Sequence, residues 1–281
     1  MSVPPLTLLY VPADRPDRVE KAIASRAHAV IVDLEDGVGD SAKETARRGL
    51  VGLLDRIFGK PVHVRVNGLA SGLLEADLAV VAGLRGVTDI HLPKIDQGGD
   101  VTAIVALLPP RDEPYRLHCL IESAVGVEAA YAIASSAPEV CGISLGEADL
   151  RSETGALEHG LDWPRARVVN AAVAAGLPRP AQSVYVDIRD EQGLAASCRR
   201  GRELGHLGRA AIHPSQLAII EQAYLPTRSE VERARATLER LESGGGATTI
   251  ATGELVDAAM LGAAGQVVAL ADRYGVAGND R

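Results

Sequence analysis

Short apolar runs return along this chain: TLLYVP (7–12), HAVIVDL (28–34), PVHVRVN (61–67), TDIHLPK (88–94), RLHCLIE (116–122), VCGISLG (140–146), QSVYVDI (182–188) and LGRAAIH (207–213). Runs of this length, rich in Val, Ile and Leu, predict strands buried on both faces. Amphipathic stretches separate or follow them at 16–26, 40–57, 72–83, 98–108, 125–136, 163–175, 190–204 and 214–223, and these predict helices. Asp40-Ser41 supplies an N-cap with Glu44 in the first turn, and Asp162-Trp163-Pro164 places proline early in a helix. Eight strand-then-helix units in series predict an α/β fold, a parallel (β/α)8 TIM barrel. A doubly wound open sheet is the structural alternative. It usually has fewer strands, and the first turn here, PADRPD, carries no GxGxxG.

The pattern changes near the C-terminus. LPTRSEVERARATLERLESGGG predicts a charged helix ending in a glycine cluster, and ATTIATGELVDAAMLGAAGQVVALADRYG a short turn and a mostly apolar helix. Residues 1–225 are therefore expected to form the barrel that carries the chemistry, and residues 226–281 a helical extension. An apolar helix outside a closed barrel needs covering. The extension is expected to pack on a neighbouring subunit of a homo-oligomer.

Composition narrows the function class. Hydrophobic residues make up 47% and aromatics only 3%, which excludes a disordered chain and implies an aliphatic core. A net charge of −8 argues against a general nucleic-acid binder or a protein of anionic membranes. Cys119, Cys141 and Cys198 show no CxxC spacing, so neither a disulfide framework nor a cysteine zinc site is expected, and Cys119 and Cys141 read as core residues. MSVPPLTLLYVP lacks the basic and long apolar regions of a signal peptide, and no apolar run approaches a membrane span. The expectation is a soluble, cytoplasmic protein with no nucleic-acid or membrane partner.

In such barrels chemistry gathers at the C-terminal strand ends. Here those ends carry Asp33, Glu35 and Asp36, Arg65 and Asn67, Pro93-Lys94, Glu122, Gly146-Glu147-Ala148-Asp149, Asp187, and His213-Pro214. Glu122 and Asp149 are expected from adjacent strands, where two carboxylates repel unless one is protonated or a cation lies between them. Oxygen ligands from only two protein groups suit Mg²⁺, which keeps open positions for water and substrate. Arg65 on the same rim could hold an anionic substrate or a developing oxyanion. His28, His91 and His118 lie within strand-like runs and read as strand residues rather than ligands; His159 and His206 read as surface positions. RRGRELGHLGR is locally basic and reads as a solvated helix face.

The ordered motifs YVPADRPDRVEKA, AVIVDLEDGV, VRVN, LPK, LIESAVGV, SLGEADL and AIHPSQLAII span essentially the whole chain. They resemble those of the citrate lyase β-subunit-like proteins of the HpcH/HpaI aldolase superfamily. The resemblance implies a (β/α)8 barrel with a C-terminal helical extension, assembled as a trimer or hexamer. It also implies a Mg²⁺-dependent carbon–carbon lyase acting on short 3-hydroxyacyl-CoA esters of the malyl-, citramalyl- or citryl-CoA type. The products would be an acyl-CoA and a 2-oxo acid. Carried over motif by motif, Glu122 and Asp149 correspond to the metal ligands and Arg65 to the substrate arginine. The amides around Gly146 and Glu147 would receive the 2-oxo acid carboxylate, and Arg15 would meet substrate or CoA. Asp36 and Lys94 would support the metal and the arginine from behind, and His213-Pro214 would lie near the CoA entry.

One departure stands out. Relatives often carry Asp-Gly in the C-terminal segment, where this chain reads Thr252-Gly253 within ATGELVDAA; Glu254 and Asp257 are nearby acids. A neutral hydroxyl is a poor general base near neutral pH. Two alternatives therefore stay beside the CoA-ester lyase: a CoA-independent aldolase working on a free pyruvate-type enolate, and a non-catalytic subunit that binds Mg²⁺ and a 2-oxo acid.

Overall fold

Seven of the eight apolar runs are strands: β1 (Thr7–Pro12), β2 (Ala29–Asp33), β3 (Val62–Arg65), β4 (Asp89–Leu92), β5 (Leu117–Ile121), β6 (Val140–Leu145) and β7 (Arg209–Ala211). This computed structural model describes residues 4–242, 248–249 and 255–276. All seven strands run parallel in one sheet of order β6-β5-β4-β3-β2-β1-β7. Chain neighbours are thus sheet neighbours through β6, as short helical crossovers of one hand require. The helices are α1 (Pro16–Ala24), α2 (Lys43–Leu54), α3 (Leu74–Val81), α4 (Gly98–Leu107), α5 (Ala124–Glu128), α6 (Ala130–Ala134), α7 (Glu147–Thr154), α8 (Asp162–Ala174), α9 (Glu191–Glu203) and α10 (Gln216–Tyr224).

The eighth expected strand is corrected. Of residues 182–188 only Gln182 joins the sheet, through a single parallel bridge to Arg209. Beyond it the chain peels away, leaving Val186 76% exposed. The cause is local: Asp187 Oδ1 accepts the Arg189 amide at 3.0 Å, and Asp190 takes the Gly193 amide at 2.8 Å and the Tyr185 hydroxyl at 2.7 Å. Carboxylates that capture nearby groups compete with a ladder for the same backbone. The helix expected at 125–136 is likewise two pieces, α5 and α6, broken at Ala129 (φ −84°, ψ 1°). Neither proline nor glycine marks that break.

Alternation along the strands sets which side chains share a face. Asp33 pairs with Arg65, Arg65 with His91, and His91 with His118. These four residues therefore lie at one height across four strands. Leu8, Ala29 and Ile31 pack together beside Tyr10 and Ala181, an aliphatic cluster consistent with the composition. His206 is not on the surface: it is buried, its Nδ1 3.2 Å from the Pro180 carbonyl.

The chain separates into two compact units, Pro4–Ala223 and the segment from Tyr224 onward. The second holds α11 (Arg228–Glu242), a two-stranded antiparallel ribbon of β8 (Thr248–Thr249) and β9 (Leu255–Val256), and α12 (Leu261–Tyr274). The charged and apolar helices expected from the sequence are α11 and α12. No helix among the described residues is long and apolar enough to cross a membrane.

Candidate functional site

Arg65 closes β3 with a side chain only 12% exposed, and three groups fix its plane. Its Nε and Nη2 donate to Asp33 Oδ1 and Oδ2, each at 2.7 Å. Its Nη1 lies 2.9 Å from Glu35 Oε2, and the guanidinium carbon sits 5.1 Å from the Tyr10 ring centroid. A two-pronged carboxylate contact of this kind sets the orientation of the guanidinium as well as its charge. Burial works against that charge, but the Asp33 carboxylate outweighs it and holds the pKa of Arg65 above its ordinary value. Asp33 is itself anchored, accepting the amides of Glu35 at 3.0 Å and Gly37 at 2.8 Å. A Cβ at Gly37 would lie 2.5 Å from Asp33 Oδ2, so the glycine of DLEDG is what allows this turn.

Lys94 follows β4 with φ +56°, the only non-glycine residue with positive φ among the described residues. Such a conformation costs an L-residue about 1–2 kcal/mol. Here it accompanies a contact from Lys94 Nζ to Glu35 Oε1 at 2.6 Å. Glu35 is buried, which raises its pKa, while Arg65 and Lys94 pull the other way.

Glu122 follows β5 and is 8% exposed, so it is not a solvated strand end. Its Oε2 is buried and meets no hydrogen-bond partner among the described residues. Burial, then the Glu35 charge, push its pKa up to about 8 against the pull of Arg65, with Asp149 adding to the rise. Room for the side chain comes from Gly146, where a Cβ would lie 2.5 Å from Glu122 Cγ and 2.6 Å from Oε1. A buried carboxylate oxygen without a donor, close to further acids, fits a hard divalent cation such as Mg²⁺.

β6 stops at Leu145, so Asp149 comes from the first turn of α7 rather than from a strand. It is exposed, whereas Glu147 is buried and fully engaged. Arg165 on α8 donates to both Glu147 oxygens, at 2.8 and 2.6 Å. Glu147 therefore anchors α7 and has no carboxylate left for substrate. The Gly146 amide is also taken, donating to the Ile121 carbonyl at 2.8 Å. The start of α7 has no side-chain cap, and the Glu147 amide is 3.5 Å from Ser183 Oγ.

The remaining expected residues lie further out. Asp36 is 63% exposed, 3.8 Å from Arg65 Nη1 and 3.6 Å from Lys94 Nζ. Arg15 caps α1 with its side chain 59% exposed, its Nε 3.7 Å from Asp14. His213 and Pro214 are exposed, and His213 Nδ1 pairs with Ser215 Oγ at 2.8 Å. Among the described residues no hydrogen bond or ion pair joins Arg15 or His213 to Arg65 or Glu122.

The match to a family model described as HpcH/HpaI aldolase/citrate lyase runs over residues 6–214, from β1 past β7. The chain belongs to this family. It is 30% identical over 298 aligned residues to the L-malyl-CoA/beta-methylmalyl-CoA lyase of Cereibacter sphaeroides, covering 94% of this chain and 93% of that one. It is 34% identical over 279 residues to the (3S)-malyl-CoA thioesterase of the same organism, covering 95% and 94%. The solved structure of CitE from Mycobacterium tuberculosis in complex with magnesium, acetoacetate and coenzyme A superimposes with a TM-score of 0.79 at 30% identity, over 95% of this chain and 97% of that one.

Beneath the site of this HpcH/HpaI protein lies a buried support that the sequence reading missed. Lys43 Nζ donates to the carbonyls of Leu34 (3.0 Å) and Glu35 (2.8 Å) and to Asn67 Oδ1 (2.8 Å). Asp77 Oδ2 accepts the amide and the side-chain nitrogen of Asn67 at 2.8 and 2.7 Å, and its Oδ1 accepts Arg47 Nε at 2.6 Å. This network holds the chain just past β2 and β3, where the groups around Arg65 originate. Thr252, Gly253 and Glu254 lie outside the described residues; Asp257 is exposed.

Proposed function

We propose that this chain is a Mg²⁺-dependent carbon–carbon lyase that cleaves a short 3-hydroxyacyl-CoA of the malyl-CoA type to an acyl-CoA and a 2-oxo acid. The observation that carries the reading is the buried, unpartnered Glu122 oxygen lying within the electrostatic reach of the fixed Arg65. Glu122 and Asp149 would hold the ion, which supplies charge that polarises the substrate hydroxyl and carboxylate oxygens. The amides at the start of α7 would receive the 2-oxo acid carboxylate, as helix N-termini do for anions.

Cleavage breaks the carbon–carbon bond as the hydroxyl loses its proton and becomes the ketone. The electron pair passes to the thioester fragment, whose carbonyl oxygen becomes an enolate oxygen, and that carbon is then protonated. Arg65, held by Asp33 and Glu35, would offset the charge on the enolate oxygen without reorganising. Lys94 and Asp36 stabilise the arrangement around Glu35 and Arg65. Arg15 and His213 would meet the CoA chain.

The relatives named for malyl-CoA and the CitE structure with magnesium and coenzyme A support the substrate class. The same likeness supports completing the seven parallel strands as a (β/α)8 barrel with the segment at Gln182 in the eighth place. We further infer a homo-trimer or hexamer in which the C-terminal unit packs on a neighbouring subunit. Met260 and Leu261, 45% and 38% exposed, are apolar groups that such packing would cover.

Calorimetry on metal-stripped protein tests the site. Oxaloacetate should bind only with Mg²⁺, and Glu122→Ala and Asp149→Ala should each abolish that binding. Binding that ignores the metal, or survives both substitutions, would overturn the assignment. In a malyl-CoA cleavage assay, Arg65→Lys should lower kcat about 10²- to 10³-fold while leaving Mg²⁺ affinity unchanged. Turnover of a free hydroxy acid without CoA would instead identify a CoA-independent aldolase.

A further inference from the structure

A second group of ligand-type side chains lies on β3 to β6; His63 and His118 precede Arg65 and Glu122 along β3 and β5, and no ion pair or hydrogen bond among the described residues joins the group to either. Asp89 opens β4, and His63, His118 and Cys141 each stand second in β3, β5 and β6. Cys141 Sγ donates to Asp89 Oδ1 at 3.3 Å, and His118 Nε2 lies 3.7 Å from the same oxygen. The three ligand atoms of Asp89, His118 and Cys141 all fall within 4.8 Å of one another. A four-coordinate ion with bonds of about 2.0–2.3 Å sets its ligands roughly 3.3–3.8 Å apart, so two of these separations already match.

Two local devices build this arrangement. Leu117 pairs with Val140 but His118 pairs with Gly142, so Cys141 is the extra residue of a β-bulge. Bulges turn a side chain out of the alternation of its strand, and this one accompanies the contact of Cys141 with Asp89. The next residue, Gly142, makes room for the histidine: a Cβ there would lie 2.3 Å from His118 Cε1. His63 Nε2, 3.3 Å from Asp89 Oδ2, orients the carboxylate from its other side, as partners behind a metal ligand do.

We propose that Asp89, His118 and Cys141 form a second divalent-cation site, for a thiophilic ion of the zinc or cobalt(II) class, separate from the Mg²⁺ site. One nitrogen, one oxygen and one sulfur donor suit such an ion rather than Mg²⁺. An aspartate, a thiolate and a neutral imidazole balance its charge. Histidine ligates through the lone pair of its neutral ring, and Nε2 of His118 faces the Asp89 oxygen. Cysteine ligates as the thiolate, so binding exchanges the Cys141 proton for the ion and releases that proton to solvent. Arg116 Nε now pairs with Asp89 Oδ1 at 3.0 Å; with a side chain 59% exposed, it can turn into water when the ion takes its place. His63, His91 and His118 also cluster, but the His91 and His118 rings stack at 12°, so their lone pairs do not converge.

The test uses the full chain, metal-stripped, with thiols reduced and Mg²⁺ in excess, titrated with Co²⁺. The expected result is one equivalent that develops thiolate-to-cobalt charge-transfer absorption, releases one proton and is displaced by Zn²⁺. It should persist in Glu122→Ala, disappear in Cys141→Ser, and weaken about 10- to 100-fold in His63→Gln. Circular dichroism confirms that each variant is folded, and His118→Gln gives a second route to the loss. No charge-transfer band in the wild-type chain, or a band that survives Cys141→Ser, would overturn the proposal.

Discussion

Gly146 shows how much one missing atom decides. Its backbone (φ −92°, ψ 96°) is open to any residue, so alanine would be excluded there only by the 2.5 Å approach of its Cβ to Glu122 Cγ. Overpacking of this kind costs roughly 1–3 kcal/mol when the neighbours cannot yield. Gly146→Ala should displace the Glu122 carboxylate and weaken Mg²⁺ binding at least about tenfold, for a loss of the order of 1.4 kcal/mol. Calorimetry reads this directly, and an unchanged affinity would mean that Glu122 can move aside. Arg65 and Glu122 were legible in the sequence because each stands where an apolar run stops. The tasks of Asp33 and Glu35 were not: the run showed three acids in DLED, and only the register with β3 decides that Asp33 faces Arg65.

At the scale of elements, the strands were legible because parallel strands covered on both faces must be apolar throughout, and seven runs met that demand. Residues 182–188 meet it too, but Asp187 and Asp190 draw nearby groups into local turns. α7 escaped notice because EADLRSET has a mostly polar surface, and what anchors it is the distant Arg165. The support beneath the site was hidden for the same reason, since Lys43 meets Asn67 across 24 residues and Arg47 meets Asp77 across 30. Asp77→Asn tests that support. It leaves Arg47, only 10% exposed, without its carboxylate, and breaking a buried pair from one side costs about 3–5 kcal/mol. Urea unfolding should show a loss of that size, together with a lower kcat as the start of β3's trailing loop loosens around Arg65.

At the scale of the whole molecule, one contribution to pH dependence comes from a histidine outside the site. Burial, reinforced by Arg165, Arg209 and Arg179, lowers the pKa of His206 to about 4 from the ordinary 6.5, although the Pro180 carbonyl pulls the other way. Above pH 6.5 the ring is neutral in both folded and unfolded chains, and its contribution to stability is fully present. As pH falls from 6.5 toward 4, only the unfolded chain takes up the proton, and stability is lost. The loss is of the order of 3 kcal/mol across that window. Between pH 7 and pH 5 the urea midpoint of His206→Gln should therefore fall less than, or rise more than, that of the wild-type chain; an identical pH dependence in the two would place this titration elsewhere. The order of the sheet bears on how the protein is made. β1, which leaves the ribosome before the other strands of the sheet, pairs along one edge with β2 but along the other with β7, from Thr7–Arg209 to Leu9–Ala211. Arg65, Glu122 and Asp149 all emerge before β7 does. Until β7 emerges, the nascent chain thus holds the strands of its chemistry beside an unpaired strand edge, a surface that invites association with other growing chains. The interval before β7 emerges, rather than assembly of the site, is when a chaperone would matter most.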